Sequence, residues 1–289
     1  LARSFNVSPL VVGLTVISFG TSAPELVVSV LAALGGQSDV AIGNVVGSNI
    51  MNIGLILGIT TLIAPIRIET RLLAREVPLM IVVMVAMLVL SLDGVLGRVD
   101  GAILLVGFVG YLVLVLRTAR TEPAAVGAEY EEFEEAIEAA PRGEPRVWDF
   151  VLVVAGLLGL VAGAQMLVTS ALFFARAMGI SELVIGLTVV AIGTSLPELA
   201  TSVLAAFRGE ADIAIGNVVG SNLFNVLAIL GTATVLQPIP IAPSLLRFDL
   251  PIMIAICGLI LPLGILGKRV GRWDGALLLG GYLVYTVLL

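Results

Sequence analysis

The sequence predicts an all-α integral membrane protein made of two inverted-topology repeats of five transmembrane helices, ten in the full molecule and nine within this chain. Three observations predict it: a composition too apolar for a soluble core, an internal duplication, and an odd number of helices per half. The 289 residues are 59% hydrophobic and only 12% charged, with a mean hydropathy of +1.14. A soluble domain of this length cannot hide that much apolar surface, so the bilayer is the natural solvent. Lipid offers no partner to a backbone amide, which leaves helices and closed barrels, and the alternating pattern of barrel strands is absent.

Runs long enough to span hydrocarbon as helices fall at about 8–34, 40–63, 77–92, 99–117, 148–175, 181–206, 212–236, 249–266 and 273–289. Between the fourth and fifth lies the one long polar stretch, an acidic linker at 118–147. Its glutamates lack the alternating oxygen-ligand spacing of a calcium loop and read as a solvated connector. The domains are therefore a first repeat at 1–117, the linker, and a second repeat at 148–289. Cys257 lies mid-helix and implies no disulfide framework.

Laid over itself, the sequence matches 8–58 with 181–231, and roughly 33 of the 51 aligned positions are identical. The register continues with Glu76 and Pro78 on Asp249 and Pro251, and "RVDGA" (98–102) meets "RWDGA" (272–276) one residue out of step. The second half carries a helix at 148–175 ahead of its repeat, whereas residue 1 aligns with residue 174. A further N-terminal helix is expected ahead of Leu1, giving five helices plus five. Five is odd, so the halves must sit upside down relative to each other.

Charge placement tests this topology. With the linker in the cytoplasm, alternation puts Arg3, Arg67, Arg71, Arg75, Arg117, Arg120, Arg142, Arg146, Arg208, Lys268, Arg269 and Arg272 inside, and only Arg98, Arg176 and Arg247 outside. That imbalance follows the positive-inside bias and predicts an outward C-terminus. Trp148 and Trp273 fall at helix ends, as interfacial anchors should.

Each repeat carries a proline and a glutamate inside an apolar run, "GTSAPE" at 20–25 and "GTSLPE" at 193–198. Pro24 and Pro197 have no amide hydrogen, so the carbonyls of Gly20 and Gly193 lose their helical partners. Free carbonyls at membrane depth are tolerated where they line a cavity or meet a ligand. Helical spacing sets Thr21 and Ser22 on the face of Glu25, and Thr194 and Ser195 on the face of Glu198. The next helix of each repeat reads "GNVVGSN", with Ser48 four residues before Asn52 and Ser221 four before Asn225. These are hard oxygen donors, suited to Ca²⁺ or Na⁺. Two glutamates match the charge of one Ca²⁺.

Plainer readings exist for some of these features. A proline alone reads as a kink, and the Gly43–Gly47 and Gly216–Gly220 spacings read as close helix packing. Asn49 and Asn222 read equally as interhelical hydrogen bonds or as members of a site. Asp93, Asp100 and Asp274, beside glycines at helix ends, read as turn residues. The glutamates have no plain reading, because a carboxylate at a helix centre in the bilayer costs about 3 kcal/mol or more.

These motifs resemble the α-repeats of the calcium/cation antiporter superfamily, whose members include the sodium/calcium exchangers, and the resemblance covers nearly the whole chain. It implies a cation site midway across the membrane where the proline-broken helices meet. Glu25 and Glu198 match the ion-binding glutamates. Thr21, Ser22, Ser48, Asn52, Thr194, Ser195, Ser221 and Asn225 match the hydroxyls and amides of the same pocket, with backbone carbonyls near Ser18 and Ala191. Some relatives carry aspartate where this chain has Asn225, which argues against potassium co-transport. The vacuolar-type calcium/proton branch places histidine after its glutamate, whereas this chain reads "PEL" twice and contains no histidine.

The expected function is exchange of Ca²⁺ for Na⁺ by alternating access, in a prokaryotic inner membrane. The partners are the two ions and the lipid bilayer, with no cofactor, nucleic acid or obligatory protein partner. Ca²⁺/H⁺ antiport is the alternative, since both glutamates can carry protons. A cation channel fits less well, because paired discontinuous helices in inverted halves mark transporters. Serine–histidine chemistry is excluded by the lack of histidine.

Overall fold

A computed structural model describes residues 13–68, 70–119, 177–267 and 269–289, with isolated positions between 155 and 173. The expected helix at 148–175 and the linker beyond Ala119 lie outside the described residues. The helices are α1 (Ser18–Thr21), α2 (Ala23–Leu34), α3 (Ser38–Ile63), α4 (Leu72–Leu90), α5 (Arg98–Ala119), α6 (Glu182–Thr194), α7 (Leu196–Phe207), α8 (Ala211–Leu236), α9 (Leu245–Ile265) and α10 (Arg272–Leu288). Among the described residues, five are long and apolar enough to cross a bilayer, or six if α6 and α7, bent by 47°, form one span.

The duplication is visible element by element. α1, α2 and α3 recur in the second half as the last turn of α6, α7 and α8, and α5 recurs as α10. The match extends to the hydrogen-bond ladder. π-helical turns occur at Gly13–Ile17 and Gly186–Val190, at Asn52–Leu57 and Asn225–Leu230, and at Leu72–Glu76 and Leu245–Asp249. Such bulges release carbonyls from the regular ladder and often mark functional positions. Thr60 and Thr61 answer two of them, donating their hydroxyls to the carbonyls of Ile56 at 2.6 Å and Leu57 at 2.8 Å.

Two small ribbons fix how the halves are related. β1 (Ile66–Arg67) pairs antiparallel with β4 (Arg269–Val270), and β2 (Val95–Leu96) pairs with β3 (Ile239–Pro240). β1 follows α3 and precedes α4, while β2 follows α4, so the ribbons cap opposite ends of one span. The C-terminal end of α3 therefore lies at the β1–β4 end, and that of its twin α8 lies at the β2–β3 end. Equivalent helices run in opposite directions, the arrangement expected of inverted repeats. Arg71, Arg75, Arg208 and Arg272 then share the β1–β4 end, against Arg98 and Arg247 at the other.

α3 and α8 form the centre, and 94% of the apolar window of α8 is buried against 22% for α5. The outer helices turn Val99, Val106, Val109, Leu277 and Val287 outward, the lipid-facing surface expected of a span. Trp273 opens α10 and is 85% exposed, an interfacial position. α2 and α7 end at Gly36 (φ +76°) and Gly209 (φ +78°). The next amide reaches back along the helix, Gln37 to Ala32 and Glu210 to Ala205, a helix stop that needs a left-handed residue. The glycine-lined packing is real at Gly43, Gly47 and Gly220: a Cβ on Gly43 would meet the backbone of Leu183 and Gly186, one on Gly47 that of Leu187, and one on Gly220 that of Leu14.

The turn reading of the three aspartates holds. Asp93 accepts from the amide of Val95, Asp100 from that of Gly97 and Asp274 from that of Gly271. The expected helix starts at 77 and 249 are corrected: these helices begin at Leu72 and Leu245. Glu76 and Asp249 lie inside them and are buried. Each carboxylate has a partner that a hydropathy window does not register, Arg71 at 3.5 Å from Glu76 and the Tyr285 hydroxyl at 2.9 Å from Asp249.

Candidate ion-binding site

"GTSAPE" and "GTSLPE" form helix breaks. Ser22 (φ −84°, ψ 8°) separates α1 from α2, and Ser195 (φ −88°, ψ 10°) separates α6 from α7, both in the sparsely populated bridge region. Each proline sits in the first turn of the following helix, where its missing amide costs least. The break itself is at the serine, two residues before the proline. It aims a short hydroxyl away from the helix axis and across to the other half.

The contacts are reciprocal. The Ser22 hydroxyl donates to Glu198 Oε1 at 2.7 Å, and that of Ser195 donates to Glu25 Oε1 at 2.8 Å. The same hydroxyls lie 3.1 Å from the Oγ atoms of Ser221 and Ser48. Each glutamate of one repeat is thus held by the serine of the other, and both are 1% exposed. Thr21 donates to Asn217 Oδ1 at 3.3 Å and Thr194 to Asn44 Oδ1 at 3.0 Å. Asn44 in turn donates to Ser29 Oγ at 3.0 Å, and Asn217 to Ser202 Oγ at 3.1 Å. Deeper in α3 and α8, Asn52 Nδ2 donates to Asn222 Oδ1 at 2.9 Å and Asn225 Nδ2 to Asn49 Oδ1 at 3.3 Å.

Four oxygens at these positions are buried with no hydrogen-bond partner among the described residues: Glu25 Oε2, Glu198 Oε2, Asn52 Oδ1 and Asn225 Oδ1. A buried polar atom left unpaired costs about 1–3 kcal/mol, more for a charged one. Two carboxylate and two amide oxygens, related in pairs by the repeat, make a donor set that suits a hard cation. Among the described residues the arrangement offers two carboxyl groups and no cationic side chain hydrogen-bonded to them.

The structure therefore brings together Glu25, Glu198, Ser22, Ser195, Ser48 and Ser221, while Asn52 and Asn225, one helical turn beyond Ser48 and Ser221, pair with Asn222 and Asn49. Thr21 and Thr194 lie beside the carboxylates of the opposite repeat, Thr21 by Glu198 and Thr194 by Glu25, with their hydroxyls also within hydrogen-bond distance of Asn217, Asn44 and the carbonyls of Ile17 and Val190. The Ser18 carbonyl already accepts from the Ser22 amide and the Thr21 hydroxyl, and the Ala191 carbonyl from Ser195 and Thr194. Gly20 is exposed and Gly193 half-buried, unlike the buried carboxylates. Beside Ser18 a cavity of about 330 Å³ is walled by Leu14, Phe19, Phe108 and Phe224, with Phe224 edge-on to both phenylalanines. Sequence reasoning left out Asn44, Asn217, Ser29 and Ser202. Their signal was present: each is a polar residue in an apolar run, at the same place in both repeats.

Comparison with known proteins identifies the family. The sequence matches the sodium/calcium exchanger protein family over residues 1–117 and 148–289. It is 41% identical over 292 residues to a protein of Alkalimonas amylolytica named as a candidate antiporter, CaxA, covering all of this chain and 90% of that one. It is 32% identical over 320 residues to the sodium/calcium exchanger MaX1 of Methanosarcina acetivorans, covering all of this chain and 91% of that one. A solved structure of the sodium-calcium exchanger NCX_Mj, soaked with Na⁺ and Sr²⁺, superposes with a TM-score of 0.77 at 32% identity, covering 100% of this chain and 89% of that one. The chain belongs to the sodium/calcium exchanger family, within the calcium/cation antiporters, and is an integral membrane cation antiporter.

Proposed function

We propose that this antiporter exchanges Ca²⁺ for Na⁺ by alternating access, at a site made of Glu25, Glu198, Asn52 and Asn225 with Ser22, Ser195, Ser48 and Ser221 around them. The observation that carries the proposal is the set of four unpaired, buried oxygens, two from each half. The carboxylates supply a charge of −2, which one Ca²⁺ neutralises or several Na⁺ share, so the two species compete. An empty pocket bearing two bare carboxylates is costly to carry past apolar surroundings. Movement is therefore favoured when the site is filled, which is the condition for exchange over leak.

The halves also differ in a way that suits two-sided access. The Tyr111 hydroxyl donates to the Leu14 carbonyl, whereas its twin Tyr285 donates to Asp249. Inverted repeats that hold different contacts can trade them, which exposes a fixed midplane site to either side in turn. The arginine-rich β1–β4 end is assigned to the cytoplasm by the positive-inside bias. The linker then lies inside and α10 ends outside, in a prokaryotic inner membrane.

The test is dependence on the trans ion. In proteoliposomes of the purified chain, Ca²⁺ efflux should require external Na⁺ or Ca²⁺; equal efflux into ion-free medium would indicate a channel. Two further outcomes probe the shell. Ser22→Ala and Ser195→Ala should each raise the KM for Ca²⁺ about tenfold or more, the loss of one hydrogen bond to a carboxylate. The two values should agree, because the contacts are reciprocal, and a large inequality would count against a shared pocket. Asn225→Asp adds a third carboxylate and should change the balance between Na⁺ and Ca²⁺ in competition assays. An unchanged profile would remove Asn225 from the shell.

A further inference from the structure

We infer that Asn222 and Asn49, which offer no unpaired oxygen themselves, are positioning residues that decide which end of the Asn52 and Asn225 amides faces the cation. This role rests on the site proposed above and deepens it. An asparagine amide has an acceptor end and a donor end of nearly equal shape. An amide that turns its NH₂ group toward a cation repels it, so a neutral ligand of this kind works only when its orientation is fixed.

The structure holds such a fix. Asn222 Nδ2 lies 3.5 Å from the backbone carbonyl of Asn49, 3.6 Å from Met80 Sδ and 3.7 Å from Cys257 Sγ. The opposite orientation would set the Asn222 amide oxygen against the Asn49 carbonyl oxygen. Asn222 therefore presents its oxygen to Asn52, whose Nδ2 donates to it at 2.9 Å. Asn52 has spent its donor end, and its Oδ1 is left buried and unpaired.

The other half repeats the chain with a weaker anchor. Asn49 Nδ2 faces Met253 Sδ at 3.8 Å, and its Oδ1 accepts from Asn225 Nδ2 at 3.3 Å. Asn225 Oδ1 is again buried and unpaired. A thioether is a poorer acceptor than a backbone carbonyl, so Asn52 is the more firmly oriented of the two. All four asparagines are buried, and each pair joins α3 to α8. Water is thus a poor substitute for a missing partner.

The test is a mutant cycle on the purified full chain in proteoliposomes, read as KM and kcat for Na⁺-driven Ca²⁺ uptake. Asn222→Leu removes the anchor while keeping the volume, and should raise the KM for Ca²⁺ about tenfold with kcat within about twofold. A carboxylate presents an oxygen whichever way it turns, so in an Asn52→Asp background the added Asn222→Leu change should leave KM within about twofold. The same KM loss in both backgrounds would overturn the inference and leave Asn222 a packing residue. Asn49→Leu with Asn225→Asp forms the reciprocal cycle, with a smaller first step, and replaces the first if Asn222→Leu fails to fold. Normal transport by Glu25→Gln and Glu198→Gln would sink the cation site itself. Transport abolished in those variants but an unchanged KM in Asn222→Leu would sink the orientation role alone.

Discussion

Replacing either membrane glutamate by glutamine should abolish Na⁺-dependent Ca²⁺ flux while leaving a folded protein. Glu25→Gln and Glu198→Gln keep the side-chain shape, and each Oε1 still accepts the opposing serine hydroxyl, from Ser195 at 2.8 Å and from Ser22 at 2.7 Å. The loss is the charge on the unpaired Oε2. Removing one partner of a buried charge pair costs about 3–5 kcal/mol, which is about a 100-fold or greater fall in affinity. Radiolabelled Ca²⁺ uptake into vesicles checks it, with size-exclusion profiles as the control for folding. The two variants should be equally defective. Normal uptake by either would mean that the carboxylate it lacks is not a ligand.

The second large effect is on the packing of the two halves. Gly47→Leu should eliminate folded protein, and Gly47→Ala should lower thermal stability sharply. A Cβ there would meet the carbonyl oxygen, Cα and carbonyl carbon of Leu187, all backbone atoms of α6. Backbone cannot rotate out of the way as a side chain can, so the helices must separate. Overpacking in a close-packed core typically costs about 1–3 kcal/mol, and this contact belongs at the upper end. Gly220→Ala, against Leu14 and the Ser18 hydroxyl, should behave alike. Gly110 and Gly281 have nothing within 4 Å of a Cβ, and their alanine variants should melt with the parent. A thermal-shift series on detergent-purified protein measures all of these, and an unaffected Gly47→Ala variant would contradict the packing account.

Much of this molecule was legible in its sequence because it is written twice. "GTSAPE" alone is a kink with a costly acid; its recurrence as "GTSLPE" at 193–198, with Ser48 and Asn52 answered by Ser221 and Asn225, marks Glu25 and Glu198 as paired. The spans were legible because lipid allows few backbone solutions. The partner of each site residue was not. Ser22 binds Glu198 and Thr194 binds Asn44, contacts between residues 176 and 150 positions apart, and periodicity within one helix carries no information about the facing helix. The π-helical turns were equally hidden, since no residue pattern distinguishes Asn52–Leu57 from regular helix. The starts of α4 and α9 were misplaced because a hydropathy window stops at charged residues, Arg75 and Glu76 ahead of one run and Arg247 ahead of the other. Glu76 and Asp249 lie inside the helices with partners at hand.

The central claim is that the Glu25–Glu198 site couples Ca²⁺ movement to Na⁺. The most direct measurement is Ca²⁺ uptake into proteoliposomes of the purified chain under two imposed gradients, an outward Na⁺ gradient at equal pH and an outward proton gradient without Na⁺. Uptake should be driven by Na⁺, little by protons, and should be absent in Glu25→Gln or Glu198→Gln vesicles. Uptake driven by the proton gradient and indifferent to Na⁺ would contradict that claim.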